Sequence, residues 1–148
     1  MKSEDVAQKI PQNEAQAFEA LVELAQFLRS PEGCPWDRKQ SAASFAGYIL
    51  EEGRELIEAL EEGDNEKIAE EWGDTFFTLI ACMAAAEEEG RFDLLSALKA
   101  AHQKMVRRHA HIFGDQTAET PEEVMAVWNA IKAQEKANKK GPKASGKD

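Results

Sequence analysis

Residues 51–74 read EEGRELIEALEEGDNEKIAEEWGD, in which two acidic segments, Glu51-Glu52-Gly53-Arg54-Glu55 and Glu71-Trp72-Gly73-Asp74, flank a turn at Gly63-Asp64. On a helical wheel, the helix before the turn carries an apolar stripe of Phe45, Ile49, Leu56 and Leu60, and Glu52 falls inside that stripe. Glu55 sits at its edge, while Glu58 and Glu61 point away from it. A carboxylate in a core seam costs several kcal/mol unless it is paired or bound to a metal, so Glu52 needs a partner. After the turn, Trp72, Phe76, Phe77, Leu79, Ile80 and Met83 surround the next helix with apolar side chains, as expected for a central helix of a bundle. Its polar exceptions, Glu71, Asp74, Thr75 and Thr78, share one face.

Folding these two helices antiparallel about Gly63-Asp64 brings Glu52 level with Asp74 and Glu55 level with Glu71, one helical turn apart. Four converging carboxylates cannot all stay ionised without a cation. An all-oxygen ligand set suits Mg²⁺, with Mn²⁺ as a substitute, and octahedral Mg²⁺ keeps positions for water and phosphate oxygens. Glu51, Glu58, Glu61, Glu62 and Glu66 read as solvated charges, and Glu70 lies close to Asp74 on the wheel.

The same periodicity, with no convincing alternation of period two, extends outward in both directions and makes the chain all-α. A first helix is expected from Glu14 to Arg29, broken by residues 30–37 with Pro31, Gly33 and Pro35. The acidic hairpin spans Ser41 to Glu61 and Asp64 to Glu89, stopped at Gly90. A fourth helix runs from Leu94 to His109, and a loop covers His111 to Thr120. Thr120-Pro121-Glu122-Glu123 then opens a fifth helix that ends near Lys136. The expectation is an antiparallel bundle of four to five helices in a single domain over residues 14–136, completed by dimerisation. A flexible N-terminus over 1–13 and a disordered basic tail over 137–148 would flank it. Gly47 and Gly53 inside the second helix each cost about 1 kcal/mol relative to alanine, and close helix approach is the reason expected for them.

The chain has 148 residues, 43% hydrophobic and 31% charged, the balance of a globular protein. Its formal charge of −10 repels nucleic-acid backbones and argues against a DNA or RNA partner. A phosphorylated small molecule stays compatible if cations bridge the two negative partners. No apolar run reaches the length of a membrane span, and residues 1–11 lack the apolar core of a signal peptide. Cys34 and Cys82 then read as reduced thiols of a cytoplasmic protein, Cys82 as core filler. Basic residues follow the carboxylates: Lys104, Arg107 and Arg108 on the fourth helix and Lys132 on the fifth. A fold about Gly90-Arg91 would set Arg108 level with Asp74, where a guanidinium beside a metal–carboxylate cluster suits a polyphosphate. Interaction of Arg107 and Arg108 with the helix C-terminal dipole is the competing reading.

Six ordered blocks resemble the MazG family of all-α nucleoside triphosphate pyrophosphohydrolases. They are residues 28–37 with Gln40-Ser41, the two acidic segments, Gly90-Arg91-Phe92-Asp93, residues 104–115, and Trp128 with Lys132. The resemblance implies Mg²⁺-dependent hydrolysis of a nucleoside triphosphate to the monophosphate and pyrophosphate by a homodimer. It carries over Glu52, Glu55, Glu71 and Asp74 as metal ligands, Glu51 as a further one, Lys104, Arg108 and Lys132 as phosphate contacts and Trp128 as part of the nucleotide site. In the mechanism expected here, Glu52, Glu55, Lys104 and Arg108 are catalytic, and Glu55 or Glu51 takes the proton from water. Trp36 is a candidate for packing on base or sugar, or else a residue that pins its loop. Ala110 departs from the family by replacing a proline.

Rival functions are weaker. His109 and His111 could ligate a metal, but no Glu-x-x-His accompanies them, so loop structure is expected instead. A sibling pyrophosphohydrolase acting on dUTP or phosphoribosyl-ATP, and a nucleotide-binding bundle without catalysis, are the alternatives.

Overall fold

In the computed structural model, residues 2–141 are described and contain eight helices and no strand. They fall into two compact units, divided between Leu94 and Leu95. In the first unit lie α1 (Ser3–Ala7), α2 (Glu14–Arg29), α3 (Pro35–Lys39), α4 (Ala42–Glu62) and α5 (Asn65–Glu88). The second holds α6 (Leu94–Arg108, starting at the boundary), α7 (Ala110–Phe113) and α8 (Pro121–Lys139). No described helix is long and apolar enough to cross a membrane.

The hairpin of α4 and α5 is built by local chemistry. Gly63 closes α4 in the left-handed region, with φ of 76°, where a side chain would be strained. Asp64 then caps α5 by accepting from the backbone N–H of Glu66 and Lys67. Ala59 on α4 and Ala81, Ala84, Ala85 and Ala86 on α5 are buried, and such small side chains let the backbones approach. Helix α2 lays Ala25, with Phe18, Leu21 and Val22, against Ile80, Met83 and Ala84 of α5. Phe45 packs on Ala81 and Ala85 with Ala42 and Cys82 around it. Cys82 is half-buried, donates to the Ala42 carbonyl at 3.3 Å, and has its thiol pushed up by burial.

Several expectations change. Leu60 is exposed and Ala59 takes its place in the core, because the apolar stripe of α4 drifts as the helix turns. The apolar girdle of α5 is not all covered, since Trp72 and Leu79 are exposed while Ile80 to Ala86 hold most of the burial. Gly47 and Gly53 do not serve helix approach, because an added Cβ at either would meet nothing within 4 Å. The break after Arg29 contains α3, for which Pro35 stands at the first position, where a missing N–H costs nothing. Gly33 is needed there, since a Cβ would collide with the Phe27 and Leu28 carbonyls. In the second unit, residues 110–113 form the single turn α7 instead of loop, closed by Gly114 N–H on the Ala110 carbonyl. Helix α1 occupies part of the segment expected to be flexible. Helix α8 starts from a reciprocal Thr120–Glu123 capping box and runs to Lys139, three residues past its expected end. Positions 142–148 of the expected tail lie outside the described residues.

Arg29 ties this first unit together. Its guanidinium, 6% exposed, donates to Glu88 at 2.7 and 2.9 Å and to the carbonyls of Asp37 and Gln40 at 2.7 and 3.1 Å. Glu89 accepts from the Ala42 N–H at 2.8 Å and so caps the start of α4 from the end of α5. The loop before α4 is thereby fixed to both long helices. Arg29→Ala leaves the Gln40 carbonyl without this donor, leaves the Asp37 carbonyl with only the Gln40 N–H, and is expected to lower stability by about 2–4 kcal/mol in urea titration. A loss under 0.5 kcal/mol would show the clamp to be ornamental.

Candidate functional site

The acidic cluster stands on the hairpin, half-way along α4 and near the start of α5. One carboxylate oxygen from each of Glu52, Glu55 and Glu71 lies within 4.8 Å of the other two. Asp74 does not join that group among the described residues, although its charge acts on both Glu52 and Glu71. Glu52 and Glu71 are half-buried, and Glu51, Glu55 and Asp74 are exposed. Thr75 and Thr78 share the polar face of α5, but their hydroxyls donate to the carbonyls of Glu71 and Asp74 on their own helix.

The electrostatics are those of a cluster short of positive charge. Burial first, then the charges of Glu55, Asp74 and Glu51, push the Glu52 carboxyl above the usual carboxylate value. Burial, the Glu55 charge and a hydrogen bond to Glu55 do the same for Glu71, with Asp74 and Glu70 adding to it. Among the described residues, the ion pairs formed by lysine and arginine all lie elsewhere. Glu71 Oε2 is buried and has no hydrogen-bond partner. A buried carboxylate oxygen without a partner, on a residue that converges with two more carboxylates and makes no ion pair within 4 Å among the described residues, fits a bound divalent metal.

An aromatic shelf adjoins this cluster on α4. Trp36 packs its ring against Phe45 and Tyr48, with centroids 6.1 and 5.6 Å away, and leaves 49% of its surface exposed. Tyr48 lies one helical turn before Glu52. Trp36 therefore both pins α3 and offers a free face.

In the second unit, the basic residues gather around Glu135. Glu135 accepts from Arg107 Nε at 2.7 Å and from an Arg108 terminal nitrogen at 2.9 Å. That ion pair, rather than the helix dipole alone, holds both arginines. The Arg108 guanidinium lies over the Trp128 ring, 5.2 Å from its centroid, and His109 meets the same ring edge-on at 5.3 Å. Trp128 is thus half-buried and partly covered. Lys104, Arg107 and Arg108 line a cleft of about 780 Å³. Lys132 lines another, of about 350 Å³, with Arg108, Lys136 and Lys139. His109 caps α7 and its Nδ1 is 2.6 Å from the Met105 carbonyl, while His111 Nδ1 is buried without a partner. Neither histidine belongs to a metal-ligating group among the described residues.

The MazG nucleotide pyrophosphohydrolase domain matches residues 40–113, which include the whole acidic hairpin and Lys104 to His111. The chain belongs to the MazG family. It is 42% identical over 123 residues to a nucleoside triphosphate pyrophosphohydrolase/pyrophosphatase MazG of Thermotoga maritima, covering 83% of this chain and 47% of that protein. It is also 42% identical over 123 residues to a nucleoside triphosphate pyrophosphohydrolase of Escherichia coli, covering 82% of this chain and 47% of that one. The chain spans about half the length of these curated MazG relatives. The crystal structure of a MazG-related protein from Thermotoga maritima superposes with a TM-score of 0.66 at 29% identity, covering 78% of this chain and 98% of that one.

Sequence reasoning missed Arg29, Tyr48 and Glu135. Tyr48 had a usable signal, one turn from Glu52 on the same helix, whereas Arg29 and Glu135 act across long sequence separations.

Proposed function

We propose that this chain hydrolyses nucleoside triphosphates, ribo or deoxy and including non-canonical bases, to the nucleoside monophosphate and pyrophosphate with Mg²⁺. Mn²⁺ would substitute. The observation that carries the reading is the convergence of Glu52, Glu55 and Glu71, the last with an unpartnered buried oxygen, within a MazG domain. Those three, with Asp74 and with Glu51 as a further ligand, would hold the metal. A divalent cation there would supply a Lewis acid, neutralising phosphate charge and acidifying water.

The remaining chemistry belongs to the side chains. Water cleaves the α–β anhydride, adding OH to one phosphorus and releasing the other fragment with a proton transferred to a base. Glu55 and Glu51, both exposed, are the candidates for that base. Lys104 and Arg108 would neutralise charge developing on the phosphoryl oxygens, with Arg107 and Lys132 as further phosphate contacts. Trp36 would pack on the base or sugar, and Trp128 would complete the nucleotide site. A panel of NTPs and dNTPs, with products separated by ion-exchange chromatography, tests the reading. The expected products are monophosphate and pyrophosphate in one-to-one ratio, abolished by EDTA; orthophosphate or EDTA-resistant turnover would refute it.

The cytoplasm supplies both nucleotide and Mg²⁺ and is the proposed location. Assembly as a homodimer is supported by Leu50, Ile57 and Leu60 on α4 and Trp72 and Leu79 on α5, all exposed at about half their surface or more. Leu50 and Ile57, like Trp72 and Leu79, are seven residues apart and line one stripe on each helix. Ile57→Glu is expected to convert a dimer to a monomer in light scattering coupled to size exclusion. A wild-type protein that elutes as a monomer at high micromolar concentration would refute the dimer.

A further inference from the structure

Glu135 has no place in the phosphate-binding set above, yet its carboxylate bridges two members of it. One oxygen accepts from Arg107 Nε at 2.7 Å, the other from Arg108 at 2.9 Å, and the Glu135 side chain is only 19% exposed. Hydrogen bonds from Arg108 and then Arg107 hold this carboxyl down at about 2, so it stays charged at any working pH. Arg108 is gripped from a second side by Trp128, and its side chain is 17% exposed. Its Nε is nonetheless buried with no partner. Arginine presents five N–H donors in a rigid fork, so fixing one edge fixes the aim of the rest. The Nε lies out of reach of a ligand, whereas the guanidinium as a whole lines two clefts, where its terminal N–H groups suit an anionic oxygen.

We infer that Glu135 is a positioning residue, which locks Arg108 against Trp128 so that the remaining terminal N–H donors of its guanidinium are aimed at a phosphate oxygen of the nucleotide. The inference rests on the phosphate role proposed for Arg108. Glu135 touches no substrate. It acts through the guanidinium it orients, and it also cancels one of the two arginine charges. Removing its charge while keeping its shape should therefore loosen the aim of Arg108 without weakening attraction for a polyanion.

The test is steady-state hydrolysis by the full chain with excess Mg²⁺, comparing wild type, Glu135→Gln, Arg108→Ala and the double variant. Glu135→Gln is expected to lower kcat about 10- to 100-fold, as misplacement of a catalytic group does, with KM unchanged or lower. The double variant is expected to be no slower than Arg108→Ala alone, because the two residues act as one unit. Wild-type kcat in Glu135→Gln beside an impaired Arg108→Ala would overturn the inference and leave the phosphate role of Arg108 standing. Additive losses in the double variant would also overturn it. A fully active Arg108→Ala would remove the phosphate role and the inference together. Thermal midpoints are read for every variant. Should the glutamine variant fail to fold, Glu135→Asp, which keeps the charge but withdraws it by one methylene, must show the same fall in kcat at constant KM.

Discussion

Glu71→Gln is expected to lower hydrolysis at least ~100-fold and, in EDTA, to melt at a higher temperature than the wild type. The first effect follows from its oxygens. Glu71 contributes one ligand atom to the three-carboxylate group and also carries the orphaned buried oxygen, and an amide replaces a charged ligand with a neutral one. The second follows from the sign of the pKa shifts. Glu52 and Glu71 are both raised, so the folded, metal-free protein holds protons more tightly than the unfolded chain. Metal-free stability therefore falls as pH rises from the ordinary carboxylate range through the raised values. Above that window the two charges are forced to coexist, and the neutral amide removes part of that repulsion. Mg²⁺ should reverse the order, stabilising the wild type and leaving the variant nearly unchanged. Differential scanning fluorimetry from pH 4 to 8, with EDTA or with Mg²⁺, reads both halves. A variant less stable than the wild type in EDTA at neutral pH would show that Glu71 is held by contacts other than the cluster.

Arg108→Ala is the second large effect, expected at roughly 10²- to 10³-fold in kcat/KM, the usual loss when a preorganised donor to a developing phosphoryl charge is removed. Three observations make Arg108 the strongest of the basic residues. It lies over Trp128, it is paired with Glu135, and it lines both clefts of the second unit. Preorganisation matters here because a donor already fixed needs no reordering as charge develops. Arg107 is more exposed, and Arg107→Ala should cost less, acting on KM through general attraction of the triphosphate. Equal losses in the two variants would mean that the pair acts by charge alone.

The contrast between what was legible in the chain and what was not has a physical basis. Helix α2 begins and ends where apolar spacing places it, with the Asn13 side chain accepting from the Gln16 N–H at its start, and Gly63-Asp64 marks the hairpin, because caps and turns are chemistry between near neighbours. The facing of Glu55 and Glu71 was readable for the same reason, a short turn fixing the register of two helices. Level pairing places Asp74 beside Glu52, and its charge does act on both Glu52 and Glu71, while its carboxylate lies outside the group drawn within 4.8 Å. Helices α3 and α7 escaped because four- and five-residue turns carry too few apolar positions to show a period. The Arg29–Glu88 and Arg108–Glu135 pairs join residues 59 and 27 positions apart, and no local pattern announces such a contact.

Glu52, Glu55 and Glu71, with Asp74 beside them, are expected to hold the divalent metal. Mn²⁺ titration of the full chain, followed by electron paramagnetic resonance of the free ion, measures this binding without reference to turnover. Saturable binding that weakens at least ~100-fold in both Glu52→Ala and Glu71→Gln is predicted. Binding of unchanged strength in those two variants, at wild-type folding, would contradict the account.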